Sequence, residues 1–247
     1  MKSPLGIIAG TGFYSLSPLE NSEVKIIETK YGSAQVTAGN WHGRKTYFLT
    51  RHGVKHSVPP HKINYRANIQ ALCDLGVQEI LAVNVCGGLD DQVPVGGFQV
   101  VDDFIDFTKN RVLTFFDGDE GVNHVDMNEP YDQNLRKVLL QAGRNLNINI
   151  SDGGIYGGFE GPRFETKAEI QMAKQFGVTM VGMTGVPEVV LAVEKGLKYA
   201  AICIVANPGA GLSKEIITME DVQKVVSDSA KAVVKILNEA TKILAEK

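Results

Sequence analysis

The sequence has few cysteines, no long apolar segment and no excess of charge of one sign, and each shortage excludes a class of protein. Its 247 residues include three scattered cysteines without a CxxC pair, so we expect a reducing cytoplasm and neither a disulfide framework nor a zinc site. No apolar run approaches the roughly 20 residues that cross a bilayer, so no membrane partner is expected. A net charge of −3 offers no basic surface to nucleic acid.

The sequence instead alternates strand-like and helix-like segments from end to end. This alternation predicts one α/β domain over residues 1–247. The predicted strands cover residues 5–9, 24–29, 34–38, 45–50, 77–85, 99–107, 153–159, 178–183 and 199–206. The predicted helices cover residues 65–75, 135–146, 166–177 and 187–196, and a long last helix begins near residue 218.

Two of the predicted strand ends carry residues that suit an anion. Gly10-Thr11-Gly12 follows the first strand, and its successive N–H groups and hydroxyl would form an anion cradle, with a plain tight turn as the alternative. Arg51 and His52 follow another strand, and a guanidinium fork suits phosphate. The alternative for this pair is a surface turn with a structural ion pair.

A third strand end, at Met183 and Thr184, leads into the helix that begins at Pro187. The first turn of a helix has unpaired N–H groups and a positive potential, so this end would also bind an anion. The alternative is an ordinary capped helix in which Thr184 is the cap.

Further strand ends suit a planar organic group. Phe164 would stack on a base while Glu165 holds its polar edge, and the Asn207 amide both donates and accepts. Small residues around Cys86 would let a flat ligand lie against the backbone, and Cys86 itself is more typical of a buried apolar residue than of a nucleophile. Taken singly, Glu165 is more typical of a helix first turn, and Asn207 fits a turn before proline.

The sequence lacks the residue sets of metal-dependent and covalent catalysis. His52, His56 and His61 have no carboxylate or cysteine that would complete a metal site, and no GxSxG motif occurs. The strand ends together therefore predict a site that binds an anion and a neutral polar organic group without a covalent intermediate.

The strings GIIAGTG, LTRHG, INYRANIQAL, VCGGL, EGPRFET and GMTGVPEVVLA occur in this order along the chain. They resemble the purine nucleoside phosphorylase and methylthioadenosine phosphorylase family, and the similarity covers nearly the whole sequence. The resemblance implies a single α/β domain with a central mixed β-sheet flanked by helices, usually in a homotrimer or a dimer of trimers. It also implies that phosphate attacks C1′ of a purine nucleoside and releases the base, with phosphate as co-substrate and with no metal or other cofactor.

The resemblance assigns a role to each matching residue. The implied phosphate ligands are Thr11, Arg51, His52 and Thr184. Met183 would lie beneath the ribose, Phe164 would stack on the base, and His124 would enter a neighbouring subunit's site. The strand end at Asn84, Val85 and Cys86 would line the phosphate and ribose region.

Departures from the adenosine-type members indicate the substrate. Those members carry an Asp-x-Asp pair where this chain has Asn207-Pro208-Gly209, and a small hydroxyl residue where it has Glu165. A carboxylate can accept from the N1–H of a 6-oxopurine, whereas adenine presents an acceptor at N1. Met219 aligns with a histidine that binds the 5′-hydroxyl in inosine enzymes, although a first-turn core methionine is the alternative.

The resemblance therefore implies a pentosyltransferase of purine salvage. Its expected reaction converts S-methyl-5′-thioinosine and phosphate to hypoxanthine and 5-methylthioribose 1-phosphate, with Asn207, Glu165 and His52 as catalytic residues. A general inosine and guanosine phosphorylase, a methylthioadenosine phosphorylase and a nucleoside-binding protein without turnover are the alternatives.

Overall fold

The strands and helices alternate along the chain in the computed structural model, which describes residues 2–13, 19–53, 57–118 and 121–246. Within these ranges the chain forms eleven β-strands and five α-helices. The strands are β1 (Leu5–Ala9), β2 (Glu20–Thr29), β3 (Gly32–Trp41), β4 (Arg44–Thr50), β5 (Glu79–Gly88), β6 (Phe98–Val100), β7 (Asp103–Asp106), β8 (Ile150–Asp152), β9 (Ile155–Gly158), β10 (Val178–Gly182) and β11 (Lys198–Pro208). The helices are α1 (Tyr65–Asp74), α2 (Gln133–Leu146), α3 (Lys167–Gln175), α4 (Gly185–Glu194) and α5 (Met219–Glu246).

All eleven strands join one mixed sheet, and β5 is its centre. Along one edge β5 pairs with β11, in parallel and over its whole length. Along the other edge it pairs first with β1, in parallel, and near its end with β10, which is antiparallel. The carboxyl ends of β1 and β10 therefore face each other along the middle of β5, and the gap between them is open for a ligand.

Helices cover both faces of the sheet. On one face, α2 and α5 pack together against β11, and the buried apolar residues of α5 recur every three or four positions, as the sequence predicts. On the other face, α1 and α4 pack against each other, and α1 also packs against β3 while α4 packs against β11. Among the residues that the structure describes, no helix is both long and apolar enough to cross a bilayer.

The predicted α/β class with a mixed sheet is confirmed, and the differences are local. The single strand predicted over residues 99–107 is two strands, β6 and β7, which pair in different branches of the sheet. The turn between them is held by Asp102, whose side chain accepts a hydrogen bond from the Gly154 N–H at 2.8 Å. The short strand β8 is absent from the prediction because its three residues lack a pattern of their own.

Candidate active site

A cavity of about 510 Å³ opens at the gap between the ends of β1 and β10. Its wall includes eleven of the residues predicted from the sequence, which are Thr11, Arg51, His52, Val85, Cys86, Phe164, Glu165, Met183, Thr184, Asn207 and Met219. They come from seven separate segments of the chain, so the fold assembles the predicted site. Two predicted residues, Asn84 and His124, are not part of this wall.

Arg51 follows β4 and is almost completely buried beside the cavity. Its Nε and Nη2 donate to the two carboxylate oxygens of Glu188 at 2.6 and 2.7 Å, and its Nη1 donates to the Val83 carbonyl at 3.1 Å. Three of the five N–H donors of a guanidinium are thus engaged by these described partners. The structural ion pair that the sequence left as an alternative is present, in a buried position, and the guanidinium also borders the cavity.

His52 is buried beside Arg51 and is held in one orientation. Its Nδ1 lies 2.9 Å from the Val58 carbonyl oxygen, and because a carbonyl only accepts, Nδ1 carries a hydrogen and donates it. In the neutral ring, Nε2 is then a hydrogen-bond acceptor.

Gly10 allows both side chains to approach the turn after β1. A Cβ atom at this position would lie 3.1 Å from Arg51 Nη1 and 3.4 Å from His52 Nε2. The glycine therefore brings the guanidinium and the imidazole against the Gly10–Thr11 turn, where the anion cradle is predicted.

The start of α4 corrects one expectation about the anion site. The backbone N–H groups of Thr184 and Gly185 donate to the Tyr156 hydroxyl at 3.2 and 3.0 Å, so these two helix donors are already engaged. The Thr184 side chain does not cap the helix. Thr184 itself lies in the cavity wall, so an anion there would meet this residue at a place where its N–H group is already bonded.

Asn84 stands behind Thr184 rather than in the cavity wall. It is 1% exposed, and its Oδ1 lies 3.4 Å from the Thr184 hydroxyl, which donates to it. Within the described part of the chain, its Nδ2 has no hydrogen-bond partner. The sequence predicted that Asn84 lines the site, but in the structure Asn84 contacts Thr184, and Thr184 lines the cavity.

Glu165 and Glu169, the two glutamates around the start of α3, have different surroundings. Glu169 completes the predicted capping box with Thr166 and pairs with Arg163, whose hydrogen bonds lower the pKa of Glu169 to about 2. Glu165 instead borders the cavity next to Phe164, and burial raises its pKa above the ordinary value. The alternative role of Glu165 as the acidic residue of the helix first turn is filled by Glu169.

Asn207 reaches the cavity through an irregularity in β11. The pairing with β5 shifts register between Val205 and Asn207, and an irregularity of this kind can change the direction of the side chain that follows it. The Asn207 amide nitrogen donates to the Pro208 carbonyl at 2.7 Å. A Cβ atom at Gly87 would lie 3.2 Å from this nitrogen, so the glycine makes room for the amide.

Met219 begins α5 at the cavity mouth and is 46% exposed, so it is not the core residue that the sequence left as an alternative. Val222 and Gln223, one turn further, also border the cavity. These two were missed because the spacing of Val222 fits the buried face of α5 and Gln223 fits an exposed surface.

Cys86 borders the cavity as a neutral thiol. Burial raises its pKa well above the ordinary value, and a hydrogen bond with Cys203 adds to this effect. Among residues 2–13, 19–53, 57–118 and 121–246, no group of three or more His, Cys, Asp or Glu side chains is placed to hold a metal ion. His56, one of the histidines considered as a ligand, lies outside these ranges.

His124 is exposed and lies outside the cavity of its own chain. Its role in a neighbouring subunit stays a prediction. Two residues that support the site were also missed by the sequence, namely Glu188 and Tyr156. The only sequence signal for Glu188 is a carboxylate in the otherwise apolar string VPEVVLA.

Comparisons with known proteins agree on one family. The sequence model of the Phosphorylase superfamily matches residues 4–242. A protein of Moorella thermoacetica named probable 6-oxopurine nucleoside phosphorylase is 46% identical over 228 residues, which cover 92% of this chain and 88% of that protein. A protein of Methanothermobacter thermautotrophicus named probable S-methyl-5′-thioinosine phosphorylase is 42% identical over 242 residues, which cover 97% of this chain and 84% of that protein.

The fold comparison gives the same result. The solved structure of methylthioadenosine phosphorylase from Schistosoma mansoni in complex with adenine matches with a TM-score of 0.95 and 34% identity, covering 100% of this chain and 93% of that one. The family resemblance and the fold class predicted from the sequence are therefore confirmed. The chain belongs to the phosphorylase superfamily, and within it to the purine nucleoside and methylthioadenosine phosphorylases, which are pentosyltransferases.

Proposed function

We propose that the protein cleaves 6-oxopurine nucleosides by phosphorolysis, with S-methyl-5′-thioinosine as its preferred substrate and hypoxanthine and 5-methylthioribose 1-phosphate as products. The observation that carries this proposal is the cavity wall, in which Phe164, Glu165 and Asn207 accompany Arg51 and Thr184. One group of side chains suits a 6-oxopurine and the other suits phosphate. The names of the two relatives point to the same substrate class.

Phosphate would bind at the gap between the ends of β1 and β10. The guanidinium of Arg51 and the hydroxyl of Thr11 would donate to its oxygens. The Thr184 hydroxyl would do so in place of its long 3.4 Å bond to Asn84 Oδ1, because a hydroxyl has a single hydrogen to donate. A neutral His52 would accept a hydrogen bond at Nε2 from a protonated phosphate oxygen, because Nδ1 already donates to Val58. Phosphate bound in this way would approach C1′ and stabilise the positive charge that develops on the sugar.

The purine would leave as negative charge develops on the ring. Phe164 would stack on its face, and the Glu165 carboxylate would accept from N1–H of a 6-oxopurine. Asn207 would donate to O6 or N7, where the bond strengthens as the glycosidic bond breaks. Adenine places an acceptor at N1, opposite the Glu165 carboxylate, and one unsatisfied buried group costs about 1–3 kcal/mol.

The test of this proposal is the dependence of base release on phosphate. Release of hypoxanthine should require phosphate, arsenate should substitute for it, and EDTA should leave the rate unchanged. Chromatographic detection of the free base from S-methyl-5′-thioinosine, with each additive in turn, makes the measurement. Release in water alone, or loss of activity with EDTA, would contradict phosphorolysis without a metal, and tight nucleoside binding without turnover would support the binding-protein alternative.

The 5′ end of the nucleoside would meet Met219, whose thioether suits an apolar methylthio group. Met219→His should raise the ratio of kcat/KM for inosine to kcat/KM for S-methyl-5′-thioinosine by about tenfold or more, because an imidazole can bond the 5′-hydroxyl and crowds the methyl group. Met172→His, at an exposed methionine on α3 outside the cavity wall, is the matched control and should leave the ratio unchanged. An unchanged ratio in Met219→His would remove Met219 from substrate recognition.

We also propose a cytoplasmic homotrimer, or a dimer of trimers, in which His124 completes a neighbouring site. The exposure of His124 on its own chain leaves it accessible to a second copy. Sedimentation should give a mass that is a multiple of three chains, and His124→Ala should raise the nucleoside KM without changing this mass. A fully active monomer would exclude the role of His124.

A further inference from the structure

Glu188 is the buried partner of the Arg51 guanidinium, and both side chains are 1% exposed. The pair is bidentate, with N···O distances of 2.6 and 2.7 Å, a geometry that fixes the plane of the guanidinium as well as its position. Glu188 does not border the cavity, whereas Arg51 does. A carboxylate in this place can act on a ligand only through the arginine.

A second bond fixes the carboxylate itself. The Tyr199 hydroxyl donates to Glu188 Oε1 at 2.8 Å, and Tyr199 is a fully buried residue of β11. Arg51 is fixed from the opposite side by the Val83 carbonyl of β5. The guanidinium therefore has its Nε and Nη2 edge occupied, and the donors that are left belong to Nη1 and Nη2.

Glu188 lies on α4, the helix whose start carries Thr184. The ion pair thus connects Arg51, which follows β4, to α4, which follows β10. Two of the four side chains proposed to hold phosphate, Arg51 and Thr184, thus belong to segments that one buried contact joins.

We propose that Glu188 is a positioning residue for phosphate, which orients Arg51 relative to Thr184 so that both reach the same anion. This proposal rests on the proposed phosphorolysis. It gives the carboxylate a role that its negative charge alone would not suggest, since a bare carboxylate near phosphate would repel it. The benefit comes from the fixed guanidinium, because misplacement of a binding group by about 1 Å is sufficient to lower a rate severely.

The experiment compares Glu188→Gln with Glu79→Gln by steady-state kinetics in phosphate and in nucleoside. Glu79 pairs with the buried Arg44 at 2.7 Å, but at the start of β5, away from the cavity, so its variant is a matched loss of an arginine–carboxylate pair. Glu188→Gln should raise the phosphate KM at least about tenfold, with the nucleoside KM changed less than about twofold. Glu79→Gln should lower thermal stability and leave both KM values unchanged.

Two further variants keep the test decisive. Tyr199→Phe removes one hydroxyl without leaving a buried charge unpaired, so it replaces Glu188→Gln as the test if that variant does not fold. Tyr199→Phe should raise the phosphate KM by about twofold or more. In an Arg51→Ala background, Glu188→Gln should produce no additional change in phosphate KM, because its effect passes through the arginine.

A phosphate KM in Glu188→Gln that is unchanged or lower than that of the wild type would overturn the positioning role, and so would equal increases in both KM values. An unchanged phosphate KM in Tyr199→Phe would do the same if Glu188→Gln does not fold. Failure of the proposed function is a separate result, because the wild-type protein would then release no base in response to phosphate.

Discussion

Glu165→Gln is expected to lower kcat/KM for S-methyl-5′-thioinosine by roughly 10²-fold, since it removes one charge-assisted hydrogen bond to N1–H and the stabilisation of the leaving base. The loss with S-methyl-5′-thioadenosine should be smaller, because the new amide can donate to adenine N1. Asn207→Asp should move the preference in the same direction, since a protonated aspartate donates to N7 and its carbonyl accepts from N6–H₂. The measurement is the ratio of kcat/KM for the two nucleosides.

The matched control is Glu169→Gln, in the same segment as Glu165. Glu169 pairs with Arg163 and caps α3, and it does not border the cavity. Its substitution should reduce stability and leave the ratio of the two nucleosides at the wild-type value. Equal ratios in wild type and Glu165→Gln would contradict the role of Glu165 in base recognition.

The pH profile tests the same carboxylate without a substitution. Burial raises the pKa of Glu165, so it takes up a proton at a higher pH than an exposed glutamate does. Only the ionised form accepts at both oxygens, and kcat/KM for the 6-oxopurine nucleoside should therefore fall as the pH drops through this raised pKa. A protonated carboxyl can donate to adenine N1, so the ratio of the two nucleosides should shift towards the adenosine analogue, and Glu165→Gln should abolish the shift.

Arg51→Ala should lower kcat/KM for phosphate by about 10²–10³-fold, because it removes a fixed cationic donor from the phosphate site. It also leaves Glu188 buried without its partner, and breaking a buried ion pair in this way costs about 3–5 kcal/mol of stability. The phosphate KM and the thermal midpoint should therefore both change, and the nucleoside KM should change little.

Arg44→Ala separates these two effects. Arg44 is also buried and paired, with Glu79, but it lies outside the cavity wall. It should reproduce the loss of stability while its phosphate KM stays at the wild-type value. If Arg51→Ala lowered only stability and used phosphate normally, the phosphate site would have to be sought elsewhere.

Local patterns in the sequence carry much of the fold and the residue types of the site. The Thr166–Glu169 capping box and the apolar face of α5 are properties of neighbouring residues, and the structure has both as predicted. Glycines and polar residues at strand ends likewise indicate a ligand site, since such ends meet at one edge of an α/β sheet.

Contacts between segments that are distant in the sequence could not be predicted from local patterns. The Arg51–Glu188 pair joins residues 137 positions apart, and the Tyr156 hydroxyl that occupies the first N–H groups of α4 comes from another strand. The shift of register before Asn207 depends on how β11 pairs with β5, and no pattern in the residues near Asn207 predicts it. For the same reason the sequence predicted free N–H groups at the start of α4 as anion donors, whereas those of Thr184 and Gly185 are already bonded to Tyr156.

The base preference of the wild-type protein tests the central claim most directly. At saturating phosphate, we expect kcat/KM for S-methyl-5′-thioinosine to exceed that for S-methyl-5′-thioadenosine by about 10²-fold, which corresponds to about 2.7 kcal/mol of discrimination at the half-buried Glu165 carboxylate. A ratio of one or below would contradict the assignment of the cavity to 6-oxopurine nucleosides.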